Sequence, residues 1–135
     1  TGSKVYRIDT DGLTDLASLT SARVTSLDLA AYDDTFASDS NTYSQISSCS
    51  FMDGQYAYYT RGKAYGKVFR VRLSDFASAD VVDFEALQDA QMTSFRGTYT
   101  DGDFGYTIPV AHGQVAKFPV TPHTPQQSWS SCFEP

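Results

Sequence analysis

Residues 67–73, KVFRVRL, alternate Val68, Phe69/Arg70, Val71, Arg72 and Leu73 in the manner of a strand. Just upstream, Asp53-Gly54 separates Phe51-Met52 from residues 55–59, and further on Asp101-Gly102 separates Tyr99-Thr100 from residues 103–108. Asp-Gly between two alternating segments predicts a hairpin, closed by a type I′ turn with positive φ at both central residues. Residues 81–84 predict a short further strand, reached through a polar turn over residues 74–80. Residues 85–92, EALQDAQM, predict about two turns of helix or a loop crossing to the next unit. No apolar run approaches the roughly 20 residues that cross a bilayer, so no membrane span is expected.

These segments form a repeat. Residues 53–58, DGQYAY, align with residues 101–106, DGDFGY, at an offset of 48, and residues 67–73 align with residues 114–120, QVAKFPV, at 47. A partial version opens the chain, where residues 4–8, KVYRI, match residues 67–71, KVFRV, and residues 27–29, LDL, stand where residues 82–84, VDF, stand later. That first version carries additional residues around 10–16 and 34–41. A period in the high forties has the size of a four-stranded propeller blade, which needs a neighbour to bury its second face. The expected fold is therefore all-β and antiparallel, with about two and a half propeller-type blades in one repeat domain. Residues 1–45 would be a partial blade with insertions, 46–94 and 95–129 further blades, and 121–135 a Pro/Ser-rich tail. A closed propeller takes about four to eight blades, so the remainder would lie on copies of the chain or in a longer array.

Composition sharpens the picture. The 135 residues suit one compact domain, and nine Tyr, nine Phe and one Trp favour strands over helices. A net charge of −6 lacks the clustered cations that nucleic acid demands. Cys49 and Cys132 have no C-x-x-C spacing, and in an acidic Ser/Thr/Tyr-rich chain they point to an extracellular or cell-surface disulfide, against two free buried thiols. Both follow a Ser-Ser pair at corresponding repeat positions, which makes a bond within the chain awkward and a bond between copies natural; the competing route is a tail that curls back onto Cys49. Thr121-Pro122 and Thr124-Pro125 have the composition of O-glycosylated stretches or of plain linker, and the lone Asn41 is no N-glycosylation acceptor. The opening Thr1-Gly2-Ser3 is expected of a processed chain or of a piece of a longer one.

Candidate chemistry is sparse. His112 aligns with Tyr65 and reads as a loop aromatic, while His123 lies in an extended Pro-rich segment. Asp9-Thr10-Asp11-Gly12 resembles the start of a calcium loop but lacks the bidentate Glu at position 12; turn carboxylates bonding their own backbone are the favoured reading and calcium the alternative, with no metal or cofactor assigned. Hydrolase, metalloprotease, phosphate-loop and dinucleotide signatures do not occur. Tyr56, Tyr58, Tyr65 and Tyr106 offer a stacking surface for glycan, against the stronger expectation that tyrosines at period two pack between sheets.

The segments VVDFEALQDAQMTSFRGTY and DGDFGYTIPVAHGQVAKFPV together resemble the tandem repeats of secreted or surface proteins of algae and oomycetes, over residues 4 to about 120. Their Asp-Gly-x-Tyr-Gly-Tyr, Gly-Lys-Val-x-Arg and Val-x-x-Leu-Asp-Leu elements are similar to those of β-propeller blades. The departures are the insertions of the first version, Tyr59-Thr60 where Ile108-Pro109 would be expected, and the tail from Thr121. The resemblance implies a fold and carries no catalytic residues. The expected role is a structural repeat subunit of an extracellular assembly, a surface filament, flagellar hair or wall array, joined to its own copies. A glycan- or protein-binding module is the alternative, and an enzyme the least favoured.

Overall fold

The computed structural model describes residues 3–38, 46, 51–61, 65–87, 92–109 and 113–120. Cys49, His112, Thr121, His123, Thr124 and Cys132 lie outside the described residues. The fold is all-β, with antiparallel sheets throughout the described residues. Strands β1 (Lys4–Ile8) and β2 (Val24–Asp28) form a two-stranded sheet. Strands β3 (Phe51–Met52), β4 (Tyr56–Thr60), β5 (Lys67–Arg72) and β6 (Ala79–Asp83) form a four-stranded meander. Strands β7 (Phe95–Thr100), β8 (Phe104–Pro109) and β9 (Lys117–Pro119) form a three-stranded sheet.

Register makes the internal equivalence concrete. Lys4 lies opposite Asp28 and Val5 opposite Leu27, as Lys67 lies opposite Asp83 and Val68 opposite Val82. The Leu29 N–H donates to the Ser3 carbonyl at 2.9 Å, and the Phe84 N–H to the Gly66 carbonyl at 2.8 Å. In the next sheets Tyr58 pairs with Arg70 as Tyr106 pairs with Lys117, and Ala57 with Val71 as Gly105 with Phe118. This register places Thr60 and Arg61 at the positions of Ile108 and Pro109, a one-residue correction to the alignment that set Tyr59-Thr60 there.

The sheets stack face to face. Val5, Leu27 and Leu29 of the first pack against Phe69, Val71 and Val81 on one face of the second. The opposite face of the second, with Tyr58, Val68, Val82 and Phe84, packs against Phe95, Ala116, Phe118 and Val120 of the third. Strand alternation explains how one strand serves both interfaces: Val68 faces one neighbour and Phe69 the other. Each such side chain contributes about 1.5–3 kcal/mol by burial. Gly105 leaves room for the ring of its cross-strand partner Phe118, from which a Cβ there would lie 2.4 Å, and for the Phe51 ring of the second sheet at 3.0 Å.

Three local expectations are corrected. The hairpins turn at Gly54 and Gly102, with φ of +90° and +105°, whereas neither aspartate has positive φ, so the turns are not type I′. Residues 74–80 are not simply polar, because Phe76 adopts a φ of +51° and buries its ring beside Phe69 and Val71. The helix after β6 is the single turn α2 (Phe84–Leu87), begun one residue earlier than expected, and residues 88–91 lie outside the described residues.

Candidate functional site

The repeated phrase builds the same small device twice. The Asp53 N–H donates to the Tyr56 carbonyl at 3.1 Å and closes the hairpin. Asp53 Oδ1 accepts from the N–H groups of Gln55 and Tyr56 at 2.9 and 2.7 Å, and Oδ2 accepts from the Tyr58 hydroxyl at 2.9 Å. Asp101 repeats every bond: its N–H donates to the Phe104 carbonyl at 3.1 Å, Oδ1 accepts from Asp103 and Phe104 N–H at 3.0 and 2.8 Å, and Oδ2 from Tyr106 at 2.7 Å. The carboxylate thus does the work that positive φ at a second residue would otherwise do.

Aromatic and cationic neighbours repeat as well. Phe51 stacks on Tyr58 with centroids 4.6 Å apart, and Tyr99 on Tyr106 at 5.1 Å, each pair tilted by 16°. Arg70 lies over the Tyr56 ring at 4.3 Å, and Lys117 Nζ over the equivalent Phe104 ring at 3.7 Å. Arg70 also donates to Asp80 Oδ2 from Nε at 3.1 Å and from Nη2 at 2.6 Å.

What differs is cover. Tyr58 is fully buried beneath Phe118, and its hydroxyl also reaches the Val120 carbonyl at 3.3 Å. Burial first, and then the bond to Asp53, push its phenol far above the usual tyrosine range. Tyr106 is raised by its bond to Asp101 first, and the same bond, with that from the Phe104 N–H, holds Asp101 below the usual carboxylate range.

A second cluster is one that sequence reasoning missed. The Arg61 guanidinium is fully buried between the Phe36 and Tyr65 rings, 3.9 Å from each centroid. It donates to Asp33 Oδ2 at 2.8 Å, to the Thr35 carbonyl at 3.2 Å and to the Thr35 hydroxyl. Lys67 Nζ bonds Asp33 Oδ1 at 2.9 Å and lies 3.6 Å from Asp83 Oδ2. Burial alone would raise the Asp33 carboxyl, but the bonds from Thr35 and Lys67 outweigh it and hold Asp33 below the usual range. Asp33 and Thr35 lie at the start of the insertion at 34–41, and Arg61 replaces a proline of the later repeat, so alignment offered no cue. The cluster clamps that insertion onto the second sheet, with every charge met by an opposite one.

The tyrosines proposed for glycan do not share one surface. Tyr58 has no exposed surface, Tyr56 lies under Arg70, Tyr65 covers Arg61, and Tyr106 is half-buried against Tyr99. In the loop at residues 9–12, Asp9 Oδ1 accepts from the Asp11 N–H at 3.0 Å. Arg23 Nη1 donates to the Asp11 carbonyl at 2.7 Å and the Asp9 carbonyl at 3.4 Å. A guanidinium already seated on this loop, and an Asp9 carboxylate bonded to the loop's own amide, make it a turn with a built-in cation. Among the described residues no group of three or more His, Cys, Asp or Glu side chains is placed to hold a metal, and no helix is long and apolar enough to cross a membrane.

Comparison with protein-family models, with curated proteins and with solved structures finds no match to this chain.

Proposed function

We propose that the chain is a structural repeat module, made of propeller-type blades, that serves in an extracellular or cell-surface assembly such as a filament, flagellar hair or wall array and contacts its own copies. The observation that carries this reading is the fate of the repeated phrase. In each repeat its carboxylate and phenol are engaged with one another and with the hairpin backbone, which leaves geometry rather than chemistry as what the repeat preserves. Face-to-face stacking of a two-, a four- and a three-stranded sheet supports about two and a half blades. The acidic Ser/Thr/Tyr-rich composition supports the location, with Cys49 and Cys132 as the covalent link and Thr121 and Thr124 as glycan acceptors.

Sizing chromatography with non-reducing electrophoresis tests this. Multimers, or disulfide-linked ladders that collapse under reductant, are expected. A monodisperse monomer that binds free sugar would favour the second reading, a glycan-binding module, for which the specific support is the outward-facing Tyr99–Tyr106 stack beside Asp101.

A further inference from the structure

Among the described residues, Met52, Leu87 and Tyr32 are exposed singly, whereas the other large exposed apolar side chains gather on the two end faces of the stack. On β1, Tyr6 and Ile8 are 58% and 48% exposed. By register they are the counterparts of Phe69 and Val71 in the second sheet, which are fully buried against the first. Their counterparts in the third sheet, Ala116 and Phe118, are likewise buried, against the second. Every later version of this face is covered by a preceding sheet, and only the first version is bare.

The other end mirrors it. Tyr99, Ile108 and Val115 are 52%, 40% and 49% exposed. They correspond to Phe51, Thr60 and Val68, which lie in the face that the third sheet covers. Donors on this forward face reach across each internal interface to one equivalent acceptor: Arg7 Nη1 to the Leu73 carbonyl at 2.7 Å, and Tyr58 to the Val120 carbonyl at 3.3 Å.

We propose that these faces bind one another between copies: the Tyr99/Ile108/Val115 face of one chain seats on the Tyr6/Ile8 face of the next and continues the internal stacking. This rests on the self-assembly reading above and names its interface. The occupant is a second copy because the two internal interfaces already show what covers each face, and the two bare faces are the matching halves of that contact. The contact is heterologous, so it propagates into a filament or closes into a ring.

Sedimentation velocity over a wide concentration range tests this on the full chain and two variants, one carrying Tyr6→Glu and Ile8→Glu, the other Tyr99→Glu and Val115→Glu. The expected result is a sedimentation coefficient that rises with concentration in the wild type and stays flat in each variant. Mixing the variants should restore a single 1:1 pair of twice the monomer mass, which chains that failed to fold would not form. Association that survives in both variants overturns this interface and leaves the assembly reading standing. A wild type that remains monomeric at every concentration overturns both. If it associates only after removal of residues 121–135, the chain's own tail covers the forward face and the proposed contact is overturned.

Discussion

Tyr58 and Tyr106 occupy equivalent positions and donate the same hydrogen bond to the aspartate five residues earlier, at 2.9 and 2.7 Å, yet Tyr58 is fully buried whereas the Asp101–Tyr106 bond is exposed. Identical local chemistry therefore carries different energetic weight. Water can replace the Tyr58 hydroxyl at the exposed Asp53 carboxylate but not at the buried Val120 carbonyl, and a buried acceptor left without its partner costs about 1–3 kcal/mol. Tyr58→Phe should lower stability by about that amount in urea denaturation. Tyr106→Phe should leave the midpoint almost unmoved.

Arg61 presents the sharper case. Removing one member of a buried ion pair costs about 3–5 kcal/mol, since the remaining charge stays desolvated. Arg61→Met should approach that loss, tempered by the Lys67–Asp33 bond that remains. Arg61→Lys should recover only part of it, because an ammonium cannot both fork onto Asp33 and Thr35 and fill the space between two rings. Chemical denaturation of the three chains measures both effects.

The all-β class, the strand positions and the hairpin sites were legible in the sequence because period-two alternation and Asp-Gly signals are local. The turn type was not. Asp53 and Asp101 satisfy the turn amides with side-chain oxygens, which relieves the aspartates of positive φ. Phe76 was hidden for a related reason: a residue in an apparently polar turn reaches the core only through a left-handed backbone that no pattern announces. The Arg61 clamp was illegible because its partners come from residues 26 to 34 positions away that occur in one repeat only.

Stability should fall at both ends of the pH range. Asp28, Asp33 and Asp101 titrate lower in the folded chain than unfolded, so their contribution is complete above the unfolded value of about 3.9 and is lost as pH falls through the folded values. Tyr58, Tyr59 and Tyr106 are raised, so their contribution is complete below about pH 10 and is lost as pH climbs above it. A melting-temperature profile should be flat between these limits, and Tyr58→Phe should soften the alkaline limb.

Gly105 tests how tightly the Phe118 ring lies over its cross-strand partner. Alanine occupies the equivalent position 57 without difficulty, but at 105 the added methyl would meet the Phe118 ring at 2.4 Å. Gly105→Ala should cost about 1–3 kcal/mol in urea denaturation, as overpacking typically does.

Tyrosine footprinting by mass spectrometry over a concentration series tests the central claim, that equivalent faces are covered by equivalent sheets, most directly. Tyr58 should resist modification at every concentration. Tyr6 and Tyr99 should react readily in dilute solution and lose reactivity together as concentration rises. Reactivity at Tyr6 and Tyr99 that stays constant across the series, or a Tyr58 that modifies as fast as they do, would contradict the account.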